Sequence, residues 1–181
     1  MGPLGRLYPP ALSAALVVLL LFGLPGLAAP PADQNSFSQE GILENPVTLA
    51  PEVLKVLLET DAAKEGLAYA AAAQRANPAQ LFRAAQVHLS HADGADLVVI
   101  GVCPMCGADN AWFWVVGSAA KNPKVILVAG GKELQVLESS SKGYRDIQSV
   151  WSSPSETDTT VYHFNGAQYE LRKRKSTKNH A

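Results

Sequence analysis

The chain has 181 residues, 48% of them hydrophobic and 17% charged, which excludes a pair of full globular cores and a largely disordered chain. Its 15 Lys and Arg stand against 16 Asp and Glu; one base lies in residues 1–28 and five in residues 172–181, so the stretch between holds 9 bases and all 16 acids. An acidic body with a short basic end excludes a nucleic-acid binder built on a basic face.

Residues 1–28 read as an export signal. Arg6 sits in a short leading region, an apolar run extends from Ala11 to Leu24, and Pro25 and Gly26 precede small residues. Cleavage after Ala28 puts Gly26 and Ala28 at the two small-residue positions. The competing reading is a retained anchor, but the run is shorter than the ~20 residues a spanning helix needs and Pro25 breaks it. The expectation is a mature protein outside the cytoplasm, periplasmic or extracellular, with no membrane span after cleavage.

Residues 29–47, with Pro30, Pro31, Asp33, Gln34 and Asn35, read as a flexible linker. Residues 48–80 read as a helical segment. Thr48 is the expected cap, Pro51 and Glu52 suit a first turn, and Val53, Leu54, Leu57 and Leu58 form one stripe of a helix over about 49–60. The Ala-rich run 62–76 predicts a second helix after a break near Gly66.

Residues 81–174 switch to β-rich runs between turn residues: 82–89, 97–102, 111–116, 125–129, 133–137, 144–151, 160–164 and 168–174. Asp93-Gly94, Asn122-Pro123, Gly130-Gly131, Lys142-Gly143 and Asn165-Gly166 supply the turns. A two-residue Asn165-Gly166 turn would pair Phe164 with Ala167 and Tyr162 with Tyr169. Phe164, Tyr162, Ala167, Tyr169 and Leu171 then share one buried face, and Val161, His163, Gln168, Glu170 and Arg172 the wet one. The predicted fold class is α+β, an N-terminal helix or helix pair on an antiparallel β-meander of about six to eight strands. Residues 175–181 read as a basic tail, either solvated or drawn to anionic envelope polymers.

Both cysteines lie in Cys103-Pro104-Met105-Cys106, and an oxidising compartment favours their disulfide. Two roles stay open. The pair clasps a loop between strands, or it is a redox centre with Cys103 attacking and Cys106 resolving. The redox role wants Cys103 at a helix N-terminus to lower its pKa, whereas the run from Ala111 to Val116 reads as strand. Whichever of Trp112 and Trp114 faces the core should contribute more to stability than the disulfide. A zinc site joining His88 and His91 to the cysteines is not expected, because an antiparallel hairpin separates the pairs by ~16 Å of strand.

The segment His88-Leu89-Ser90-His91-Ala92-Asp93-Gly94-Ala95-Asp96 with its following apolar strand resembles the calcium loop of FG-GAP β-propeller repeats, with His88 and Ser90 where that loop has Asp and Asn. Asp93 and Asp96 are therefore weak metal candidates, short of the about six to eight oxygens that calcium takes. Ser139-Ser140-Ser141-Lys142 reads as a serine-rich turn, and no Gly-x-Ser-x-Gly elbow is present. Gly143-Tyr144-Arg145-Asp146-Ile147 together with Tyr162-His163-Phe164-Asn165-Gly166-Ala167-Gln168-Tyr169 resembles the closing segment of small secreted bacterial proteins of uncharacterised function. That resemblance implies export and a β-rich body and brings no catalytic residue. No catalytic set and no cofactor motif is legible. The functional expectation is a non-catalytic secreted or periplasmic module binding an envelope or extracellular protein or polymer, or inhibiting a hydrolase, with a thiol-disulfide redox protein as the alternative.

Overall fold

The computed structural model describes residues 34–90, 96–107, 109–118 and 121–179, all within the unit Ala32–Ala181. The export signal, His91, Asp93 and the Asp93-Gly94 turn lie outside the described residues. In chain order the elements are β1 (Ser36–Ser38), β2 (Pro46–Val47), α1 (Pro51–Leu58), α2 (Asp61–Tyr69), α3 (Ala72–Ala76), a 3-10 turn (Pro78–Leu81), β3 (Phe82–Val87), β4 (Asp96–Gly101), β5 (Cys106–Gly107), β6 (Asn110–Gly117), β7 (Lys124–Gly131), β8 (Glu133–Ser141), β9 (Tyr144–Ser152), β10 (Glu156–Phe164) and β11 (Tyr169–Lys178).

The chain is mostly antiparallel β-structure with a few helices, as expected of an α+β chain with a β-meander, and its strands are divided between two sheets. The first sheet runs β2-β3-β4-β6, with β5 and β7 both paired to β6; the second runs β1-β8-β9-β10-β11. The change of sheet occurs at Gly131 and Lys132. A Cβ on Gly131 would lie 2.7 Å from the Val150 carbonyl oxygen, and Lys132 N donates to that same oxygen at 2.7 Å. Only a residue without a side chain lets the two sheets meet so closely there.

Two hydrophobic layers follow from strand parity. Between the sheets lie Val98, Ile100, Phe113 and Val115 from the first and Phe37, Leu134, Ile147 and Phe164 from the second. The other face of the first sheet carries Val99, Trp114 and Val116, and packs against Val53 and Leu57 of α1 and Ala62 and Ala63 of α2. β4 is buried along its whole length, which is why Leu97-Val98-Val99-Ile100 does not alternate.

Several local expectations are corrected. Residues 29–47 are not all linker: Phe37 is fully buried and β1 pairs with β8. α1 starts after Ala50 without a side-chain cap, and Thr48 caps nothing; Thr60 is the working cap, its hydroxyl accepting from Ala63 N at 3.4 Å at the start of α2. Gly66 does not break a helix. It lies inside α2 because a Cβ there would run into Met105 Cγ. The last hairpin closes through four residues, since Asn165 Oδ1 accepts from Ala167 N and Gln168 N at 2.8 and 3.0 Å. Phe164 therefore pairs with Tyr169 and Tyr162 with Leu171, while Ala167 is exposed. Ser139, Ser140 and Ser141 end β8 rather than form a turn, and β11 carries the basic residues on to Lys178.

Candidate functional site

The Cys103–Cys106 segment leaves β4 and enters β5. Val102 N donates to Leu81 O at 2.8 Å and Met105 N to Val102 O at 2.9 Å, closing a turn that the disulfide overlaps by joining Cys103 to Cys106 at a Cα separation of 4.8 Å. Cys103 is exposed and Cys106 half-buried. Gln39 Nε2 donates to Cys103 Sγ at 3.3 Å, and Gln74 Nε2 to Cys103 O at 3.2 Å. Cys103 sits in a turn and not at a helix N-terminus, so the dipole that would activate a thiolate there is missing. Between the cysteines, Met105 is fully buried against Gly66 of α2 and Gly101 of β4, where a Cβ would come within 2.8 Å of Met105 Cβ.

Beside this loop opens a cleft of about 730 Å³, lined by Glu65 and Tyr69 of α2, Met105, Trp112, Gly130 and Trp151. Tyr69 is 77% and Trp151 40% exposed. Trp112 and Trp114 are two residues apart on β6 and so point to the same face; Trp114 is covered by the helices, and Trp112 lies half-buried past them with its ring over Gly130. A second groove of about 310 Å³ shares Gly130 and Trp151 and is lined by Ser149, Asp158, Thr160, Tyr162 and Arg174. These side chains stand on the face of the second sheet that bears Ile147 and Phe164 farther along, where that face turns from apolar to polar. Asp158 is buried and accepts from Ser176 Oγ and Arg174 Nη2. The Ser176 hydroxyl and then the Arg174 guanidinium hold its carboxyl below the usual range, and Asp158 in turn raises Arg174.

A second polar cluster lies on the opposite face of the same sheet. Ser141 Oγ is 2.8 Å from His163 Nδ1, His163 Nε2 is 3.7 Å from Asp146 Oδ2, and Ser139 Oγ donates to Asp146 Oδ2 at 2.6 Å. The composition is that of a nucleophile relay, but Arg172 Nη1 lies 2.7 Å from the same Nδ1. Arg172 can only donate, so the lone pair a general base would use is already engaged. Sequence reasoning put His163 and Arg172 on one wet face but took Ser139–Ser141 as turn, and thereby missed this cluster.

Of the two metal candidates, Asp96 is the described one. It is buried at the start of β4, and its Oδ1 accepts from Ser118 N at 3.3 Å. Burial raises its pKa, opposed by the Ser118, Leu89 and Ser90 amides and by His88. Among the described residues, Asp96 thus meets the Ser118 amide through Oδ1, while its Oδ2 is buried without a hydrogen-bond partner. β3 and β4 pair from Phe82 opposite Gly101 to Val87 opposite Asp96, which puts His88 and Cys103 at opposite ends of the hairpin. Among the described residues no group of three or more His, Cys, Asp or Glu is arranged to hold a metal, and no helix is long and apolar enough to cross a membrane. Compared with protein-family models, curated proteins and solved structures, the chain matches none.

Proposed function

We propose that the chain is an exported, non-catalytic binding module whose ligand, a component of the cell envelope or its surroundings, seats in the cleft between Trp112 and Trp151. The observation that carries the reading is the concentration of aromatic surface there. Large aromatic side chains are ordinarily covered, and an open concavity flanked by Tyr69, Trp112 and Trp151 beside a few polar groups is the usual make-up of a ligand site. Strand β6, the sheet corner at Gly131 and the disulfide loop hold the walls, so little ordering is needed on binding. The signal-like residues 1–28 and the disulfide support export. The basic residues of β11 would add long-range attraction to an anionic envelope.

The test is co-sedimentation of the mature chain with insoluble envelope polymer. Wild type should pellet, and the Trp112→Ala, Trp151→Ala double variant should stay in the supernatant; equal pelleting would overturn the reading. The redox alternative draws on one observation, the exposed Cys103 with the Gln39 amide on its sulfur. Catalysed insulin reduction in dithiothreitol, abolished by Cys103→Ser, would favour it.

A further inference from the structure

We infer that the occupant of this cleft is an uncharged saccharide chain, one ring stacked on Trp151 and neighbouring hydroxyls set against the Asp158 and Arg174 pair; this deepens the binding reading above and rests on it. Trp151 borders both concavities, and Gly130, also shared, puts no side chain between them. An elongated ligand can therefore lie across the indole from an apolar compartment into a polar one. The chemistry of the two compartments differs in the way a sugar differs between its face and its rim. A pyranose offers an apolar C–H face, which suits the exposed indole, and a ring of hydroxyls, each both donor and acceptor.

The polar compartment matches that rim. Asp158 is buried and has one oxygen on Arg174 and the other on Ser176, so its charge is compensated while lone pairs remain for hydroxyl donors. The Arg174 side chain is 61% exposed and has donors left over for hydroxyl oxygens. Thr160 and Ser149 add hydroxyls beside them. Other chemistries fit less well. An acyl chain would cover Asp158 and Thr160 with methylenes and strand their hydrogen-bonding groups. A polyanion would meet Glu65 on the cleft wall and an arginine whose charge is already committed to Asp158. Net neutrality with many hydroxyls is the property that satisfies both compartments.

The experiment is tryptophan-fluorescence titration of the full mature chain with tetrasaccharides of β-1,4-linked N-acetylglucosamine, β-1,4-linked glucose and α-1,4-linked glucose. An oligogalacturonate, laurate and an uncharged extended peptide are titrated alongside. The expected result is saturable binding of at least one neutral tetrasaccharide, weakened about tenfold or more by Trp151→Ala through loss of stacking and also weakened by Asp158→Asn. The urea midpoint of Trp151→Ala should stay close to wild type, and that of Asp158→Asn should fall by the stabilisation its ionised carboxylate gives at neutral pH, with the variant still folded where the titration is run. If no neutral tetrasaccharide binds, the inference is overturned. If the acid, the laurate or the peptide binds instead with the same dependence on Trp151, the saccharide class falls while the cleft stands as the binding site. Trp151-independent retention on envelope polymer would remove both.

Discussion

Trp114 and Trp112 stand two residues apart on one face of β6 and meet opposite fates. Trp114 lies under α1 and α2, fully buried, its ring edge-on to Phe82 at 5.4 Å and its Nε1 donating to Thr60 Oγ1 at 2.9 Å. Trp112, just past the helices, lies over Gly130 and faces the cleft, with Trp151 across it. The covered region and the open region are thus continuous along a single strand. What separates them is where the helices stop, so the same side chain is buried in one place and left open in the other.

That contrast is broken most forcefully in the covered region. Trp114→Ala removes a buried indole and one of the two donors to Thr60 Oγ1, so a loss of about 3 to 5 kcal/mol is expected in urea melts. Met105→Ala sharpens the boundary, because Met105 is fully buried in the core and also lines the cleft; a loss of about 2 to 4 kcal/mol is expected, larger than that of the disulfide. Replacing Cys103 and Cys106 by Ser should lower stability by about 1 to 2 kcal/mol, since the ring they close is very short and restricts few conformations. A double-serine variant as unstable as Met105→Ala would show that the loop, and not the methionine, holds this edge of the core.

The carboxylates extend the contrast to pH. Asp96, buried at the start of β4, has its pKa raised by burial, so the folded state keeps this proton to higher pH than the unfolded chain does. Its ionisation therefore costs stability, which should fall as pH rises from the unfolded value of about 3.8 through the folded pKa. Asp96→Asn, which keeps an oxygen for Ser118 N, should flatten that fall and be more stable than wild type at neutral pH in urea melts. Asp158 beside the cleft has the opposite sign. Ser176 and Arg174 lower its pKa, so its stabilising effect is present above the unfolded value and is lost as pH drops through the folded one. Asp158→Asn should remove that acid-side loss.

The sequence made much of the covered region legible and little of the open one. β-branched and aromatic runs between Gly, Asn and Pro turns marked the main strands, but which of Trp112 and Trp114 reaches the core stayed open, because strand parity puts both indoles on one face and only the helices that stop between them tell them apart. The change of sheet was hidden because Gly130-Gly131 carries the same signal as a hairpin turn. β1 escaped notice because one buried Phe37 among polar neighbours makes no periodic pattern. The four-residue closure at Asn165 depends on a side chain bonding two later amides, which residue identity alone does not distinguish from a two-residue turn. The cleft was least legible. Trp151, Asp158 and Arg174 reach Trp112 and Gly130 only through the order of strands in two sheets. Only the Cys103–Cys106 pair, at the cleft's rim, pointed to the neighbourhood.

On the proposed reading, the open tryptophans are held for a ligand and not for the fold. The most direct measurement is the urea midpoint of Trp151→Ala beside that of Trp114→Ala. A Trp151→Ala loss within about 0.5 to 1 kcal/mol of zero, against the several kcal/mol expected for Trp114→Ala, is the predicted result. A loss for Trp151→Ala as large as that for Trp114→Ala would contradict it, because the cleft wall would then belong to the core.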